Sequence, residues 1–159
     1  MAGRTRLATI TGPLDMTAAE DRLDGWHAGL KEAGLPAGLV AHGDFTPAGG
    51  TEAAERLLAE DSGVDGIFAA SDLMARGAIT ALKAAGRSVP GDVAVVGFDD
   101  HLTVPGELPL TTINQPTVEM AEKAARLLLG DIENPGAGRD PVIYPARLVV
   151  RASSAPKVE

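Results

Sequence analysis

The residues best suited to chemistry sit where apolar runs stop. Residues 89–100 read VPGDVAVVGFDD, and the run from Val93 to Phe98 ends on two adjacent carboxylates, Asp99 and Asp100. The run GIFAA (66–70) ends on Ser71 and Asp72, GLVAHG (38–43) leads into Asp44 and Phe45, and RLATI (6–10) leads into Thr11-Gly12-Pro13. Arg22 lies near the start of the helical pattern that follows RLATI, off its apolar stripe. A carboxylate and a guanidinium each bond two neighbouring hydroxyls at once, so this pairing suits a polyhydroxylated ligand. An aromatic such as Phe45 would cover the apolar face of a sugar ring.

Each of these residues also has a purely structural reading. Ser71 or Asp72 can cap a helix. Asp100 fits a turn residue that bonds its own backbone. Arg22 suits a surface ion pair as well as a ligand clamp, and Phe45 and Trp26 suit packing. Asp99 follows directly on a buried strand and is the carboxylate read as a ligand acceptor.

Catalytic patterns are thin. His27, His42 and His101 show no H-E-x-x-H spacing, no G-x-S-x-G elbow occurs, and GPLDMTAAE is neither a G-x-G-x-x-G nor a Walker A loop. The expectation is a binding protein without catalytic residues, metal or cofactor. The enzyme alternative is a Mg²⁺ site built from Asp72 and Asp99, since paired carboxylates suit a hard cation.

The elements that must position these residues follow from periodicity. Ala19, Leu23, Trp26, Leu30 and Ala33 are spaced for one helix face, which Gly34 ends. A second helix runs from about Ala48 to Glu60, and a third follows Ser71 and ends at Gly86. Short apolar strands alternating with such helices predict right-handed βαβ units and an α/β, doubly wound, mostly parallel sheet. In such a sheet ligands sit beyond the carboxyl ends of the strands, where the residues above fall. After Asp100 the rhythm changes. HLTVPGELP reads as a loop, LTTIN (110–114) as a short strand, and QPTVEMAEKAARLLLG as a helix started by Pro116 and Thr117 and stopped by Gly130. VIYPARLVVR (142–151) reads as strand with Pro145 as a bend or edge marker, and ASSAPKVE as a frayed tail.

Composition sets bounds on these readings. The 159 residues suit one domain. A net charge of −8, with 14 scattered basic residues, argues against a nucleic-acid surface. The chain has no cysteine, no apolar stretch near the ~20 residues of a membrane span, and no signal-peptide core at its start. A cytoplasmic protein without membrane contact is the expectation.

Several stretches converge on one family. RLATITGP, RLDGWHAGL, GDFTPAGG, GIFAASDLMARGAITALKAAGRSVPGDVAVVGFDD, LPLTTINQP and RLVVRASSAP occur in this order. From about Arg4 to Pro156 they closely resemble the C-terminal part of the lac-repressor/galactose-repressor family of bacterial transcription regulators. The resemblance implies a periplasmic-binding-protein-like effector domain, in which two α/β subdomains clasp a small ligand, commonly a sugar or nucleobase. It matches Arg22 of DRLDGW to the arginine that grips effector hydroxyls, and Asp99 of GFDD to the aspartate that accepts from them. Phe45 of GDF matches an aromatic flanking the ligand, and Ser71 of AASD stands where many members carry Asn.

Family chains are roughly twice as long. The resemblance therefore implies an effector-binding portion over 4–159, with 4–114 and 141–156 forming the C-terminal subdomain. The helix and loop of 115–140 then belong to an N-terminal subdomain otherwise missing. The crossings between subdomains fall near Asn114–Pro116 and Gly138–Pro141. Operator DNA would be bound only through a helix-turn-helix headpiece absent from this chain. A homodimer is expected, with the helix after Asp72 at the family contact, although Arg76 stands there in place of an apolar residue. The apolar face of 117–129 (Met120, Ala124, Leu127, Leu128) is expected to fold back or pair with a second copy. The alternative of a periplasmic sugar receptor shares the fold.

Overall fold

A computed structural model describes residues 3–100, 105–135 and 141–154. The elements run β1 (Leu7–Thr11), α1 (Thr17–Glu32), β2 (Leu39–His42), α2 (Pro47–Glu60), β3 (Gly66–Ala69), α3 (Asp72–Ala84) and β4 (Ala94–Val96). They continue with β5 (Thr112–Asn114), α4 (Thr117–Glu133) and β6 (Arg147–Val149). Four strands form a parallel sheet in the order β2-β1-β3-β4, the doubly wound arrangement expected. The step from β1 to β2 runs one way across the sheet and the step from β2 to β3 runs the other. With right-handed crossovers, α1 must then lie on one face and α2 and α3 on the opposite one.

Side-chain alternation along the strands feeds both faces. Ala8, Ile10, Ile67, Val93 and Val95 join Leu57, Met74 and Leu82 from α2 and α3 in the main core. This core is rich in alanine, and the two helices approach until glycine is needed at the contact. A Cβ on Gly77 would run into the carbonyl oxygen of Pro47, and one on Gly50 into that of Met74. On the α1 face Trp26 stacks on Phe68, with ring centroids 6.1 Å apart and planes inclined at 14°.

The helix termini follow local chemistry. Thr46 caps α2, its side chain accepting from the Gly49 N–H, with Pro47 at the first helical position. Gly34 supplies the left-handed φ of 65° just past α1. Gly130 does not stop α4, which runs on to Glu133. Glycine inside a helix costs only about 1 kcal/mol, and good helix formers on both sides carry the helix past it.

The strand at 142–151 is confined to Arg147–Val149, which pairs antiparallel with β5: Thr112 opposite Val149, Asn114 opposite Arg147. β5 in turn extends the sheet beyond β4. The Gly97 N–H donates to Thr111 O and the Asp99 N–H to Ile113 O, both at 2.9 Å. Ser153, fully buried, ties the C-terminal segment to the sheet: its hydroxyl donates to Val95 O at 2.6 Å and accepts from the Thr111 N–H at 2.8 Å. The excursion carrying α4 thus leaves and returns through adjacent strands, and α4 itself buries none of its residues. His101, most of the crossing read at Gly138–Pro141 and the end of the tail lie outside the described residues.

Candidate functional site

The carboxyl ends of β1, β3 and β4 meet along one edge, and Arg22 reaches over it from the second turn of α1. Its guanidinium donates to Ala70 O at 2.7 Å, just past β3. Its Cζ lies over the Phe98 ring, 4.0 Å from the centroid, and 5.9 Å from that of Phe45. Its Nη2 is 3.8 Å from Asp99 Oδ1. Half-burial lowers the proton affinity of Arg22 and the Asp99 charge raises it, in that order of size. Guanidinium remains a cation throughout.

Asp99 and Phe45 are held by unusual backbone. Asp99 has φ 124° and Phe45 has φ 65°, conformations that L side chains rarely adopt and that surrounding contacts must impose. For Asp99 those contacts are the N–H bond to Ile113 and the Gln115 amide, whose Nε2 donates to Asp99 Oδ1 at 2.9 Å. Phe45 lies against Gly12, where a Cβ would fall within the ring's own space. The absence of a side chain at Gly12 therefore sets the tilt of an aromatic at the rim.

Ser71 and Asp72 are placed differently. Both are nearly buried, at 4% and 5% exposure. The Ser71 hydroxyl caps α3 by accepting from the Met74 N–H at 3.2 Å. Asp72, the first residue of α3, accepts from the Thr112 hydroxyl at 2.6 Å and from the Asp100 N–H at 2.9 Å. Each carboxylate oxygen is thus engaged, and the residue clips α3 to β5 and to the Asp99–Asp100 turn. Burial pushes its pKa up; the Thr112 and Asp100 hydrogen bonds oppose this, and the nearby charges of Asp99 and Asp100 add to it. The same commitment of lone pairs leaves Asp72 poorly suited to a cation shared with Asp99.

Asp100 departs from the self-bonded turn read in the sequence. Its φ is left-handed at 58°, but its carboxylate pairs with Arg151 at 2.7 Å and accepts from Asn114 Nδ2 at 3.1 Å. It joins the two crossing strands, while Asp99 faces Arg22. The structure therefore brings Arg22, Phe45 and Asp99 together and sets Ser71 and Asp72 behind them as supports. Sequence reasoning missed Phe98 and Gln115. Phe98 was recoverable, because strand alternation turns the residue before Asp99 to the α1 face, where Arg22 arises. A groove of about 740 Å³ shares Arg22 and Phe98 with this rim but runs away from it along α1 to Leu35.

Comparison with known proteins identifies the family and agrees with the fold. Residues 1–154 match the model of the periplasmic binding protein-like domain. The chain is 45% identical over 156 residues to the HTH-type transcriptional regulator CelR of Thermobifida fusca, covering 95% of this chain and 45% of that protein. Its structure resembles that of a CelR–cellobiose complex, with a TM-score of 0.86 at 44% identity over 96% of this chain and 47% of the other. It also resembles the lac repressor dimer bound to operator and the anti-inducer ONPF, with a TM-score of 0.88 at 29% identity over 98% and 54%. The chain spans less than half the length of the curated relative it matches. It belongs to the periplasmic-binding-protein-like domain family, in the branch that forms the effector-binding domains of lac-repressor/galactose-repressor regulators.

Proposed function

We propose that this chain binds a small polyhydroxylated effector, a sugar or similar molecule, at the rim formed by Arg22, Phe45 and Asp99. It would do so as the effector-binding portion of a cytoplasmic transcription regulator. The observation that carries the reading is the convergence of the Arg22 guanidinium and the Asp99 carboxylate, 3.8 Å apart beside two aromatic rings. Such a pair offers donors and acceptors to adjacent hydroxyls, and the rings offer an apolar face to the sugar's C–H side. The cellobiose complex among the structural neighbours supports the ligand class.

In this reading residues 115–140 belong with a second subdomain, and ligand closure shifts the population between two relative orientations of the lobes. Operator contact belongs to a headpiece outside these 159 residues, and the chain associates as a homodimer. The role in this reading is binding rather than catalysis, and the relatives named as transcriptional regulators support it. The test is a thermal-shift screen of the longest available form of the protein against cellobiose, other mono- and disaccharides, and nucleosides. A ligand that binds only the native state raises the melting temperature by mass action. A rise for one sugar, lost in Asp99→Ala, supports the reading; no rise for any of them refutes it.

A further inference from the structure

Gly12 is buried beneath Phe45, and its backbone does not require a glycine. Its φ lies outside the left-handed region, so an alanine would sit there without strain. The requirement comes from the side chain above it. A Cβ built on Gly12 meets the far edge of the Phe45 ring, Cζ, Cε1 and Cε2, before any other atom. At Gly50 and Gly77 the obstructing atoms are backbone, which cannot turn aside; at Gly12 they all belong to one ring. The chain on either side of Phe45 is fixed. The Gly43 N–H donates to Thr11 O at 2.8 Å, and the Thr46 N–H and hydroxyl donate to Asp44 Oδ1 at 2.9 and 2.7 Å. Thr46 in turn caps α2. With φ held at 65° between these anchors, Phe45 answers a larger residue at position 12 only by turning its side chain.

We infer that Gly12 is a positioning residue that sets how a sugar is received. It seats Phe45 as a shelf for the C–H face of one sugar ring whose hydroxyl edge meets Arg22 and Asp99. This rests on the effector reading above. The guanidinium carbon of Arg22 stands 5.9 Å from the Phe45 centroid, beyond direct contact. A sugar carbon whose hydroxyl bonds a guanidinium nitrogen lies about 3.6 Å from that nitrogen, and a carbon stacked on an aromatic face lies about 3.5–4.0 Å above it. Together these two reaches exceed the gap, so one ring touches cation and shelf at once. A methyl at position 12 tips the shelf and breaks that coincidence. The charged pair stays as it was, since Ala70 O, Phe98 and Gln115 hold it. Position 12 thus decides whether the rim takes a cyclic sugar by edge and face together or by its hydroxyls alone, although Gly12 itself touches no ligand.

The test is a double-variant cycle on the longest available form of the protein, with Gly12→Ala, Phe45→Ala and both changes together. Titration calorimetry uses cellobiose and the other sugars of the thermal screen. Gly12→Ala is expected to weaken the tightest of them by roughly 5- to 12-fold, the worth of one apolar sugar face, and to add no loss on top of Phe45→Ala. Without ligand, the double variant is expected to melt where Phe45→Ala alone does, because the obstructing ring is gone. Tight binding that Gly12→Ala leaves unchanged overturns this inference and spares the effector reading. An equal loss of affinity in both backgrounds also overturns it, since Gly12 would then act without the ring. So does a melting temperature lowered by Gly12→Ala in the Phe45→Ala background, or failure of Gly12→Ala to fold, which would show that the ring cannot turn. No binding of any of these sugars by the unaltered protein overturns the effector reading and this inference together.

Discussion

Arg22 stands on the helix after β1 and Asp99 just past β4, with β3 between the two strands, yet Nη2 of the one stands 3.8 Å from Oδ1 of the other. That distance is longer than a direct hydrogen bond, while shorter bonds tie each partner elsewhere, Arg22 to Ala70 O and Asp99 to Gln115. The two groups are therefore oriented independently and face a common space. This suits a site in which neighbouring ligand hydroxyls bridge cation and anion.

Asp99→Asn keeps the shape and loses the charge. A hydrogen bond to a charged group is worth roughly 1.5–3 kcal/mol, so sugar affinity should fall by about 10- to 150-fold. Titration calorimetry with the sugar identified by the thermal screen measures this. Arg22→Lys should lose as much, because an ammonium cannot present the planar fork that the guanidinium holds over Phe98. Equal affinity in either variant would remove that residue from the site.

Phe98 acts through Arg22. Phe98→Leu removes the ring under the guanidinium, a contact worth about 0.5–2 kcal/mol, and should weaken the sugar by about 2- to 30-fold. Phe98→Tyr keeps the ring and should bind near the unaltered level. If leucine binds as well as phenylalanine, the stacking has no part in recognition.

How much of this was legible in the sequence depends on range. The strands and helices up to β4 follow from apolar runs and 3.6-residue stripes. Asp99 stands out because it ends an apolar strand, and Arg22 because it lies off the apolar stripe of the first helix. Thr112, Asn114, Gln115 and Arg151 stayed invisible, because each gains its partner only when β5 lies beside β4 and β6 beside β5. Nothing local in LTTIN specifies that docking. Asp100 was misread for the same reason: its partners are 14 residues and more away. Gly130 misled because a single glycine is a weak stop when its neighbours favour helix.

The close approach of α2 and α3 gives a stability prediction. Gly77→Ala places a methyl against the Pro47 carbonyl oxygen, a backbone atom with no rotamer to yield. Overpacking of this kind costs about 1–3 kcal/mol. At roughly 2–4 °C per kcal/mol for a domain of this size, calorimetry should show a drop of several degrees. An unchanged melting temperature would mean the two helices part without cost.

Asp72 sets a pH dependence whose sign follows from its burial. Its folded-state pKa is raised above the ordinary value, chiefly by desolvation. Protonation therefore favours the folded chain. The contribution is fully present below the unfolded pKa of about 3.9 and is lost as pH rises through the higher folded value. Asp72→Asn cannot titrate, yet its oxygen can keep the Asp100 N–H and its amide can donate to the Thr112 hydroxyl. The stability of the unaltered chain relative to Asp72→Asn should then be greatest near pH 3.5 and decline toward pH 7. The other carboxylates are common to both proteins and cancel in the difference. Urea denaturation of the two at pH 3.5, 5 and 7 reads this directly. A difference that holds constant would show that the Thr112 and Asp100 hydrogen bonds cancel desolvation, and one that grows with pH that they outweigh it.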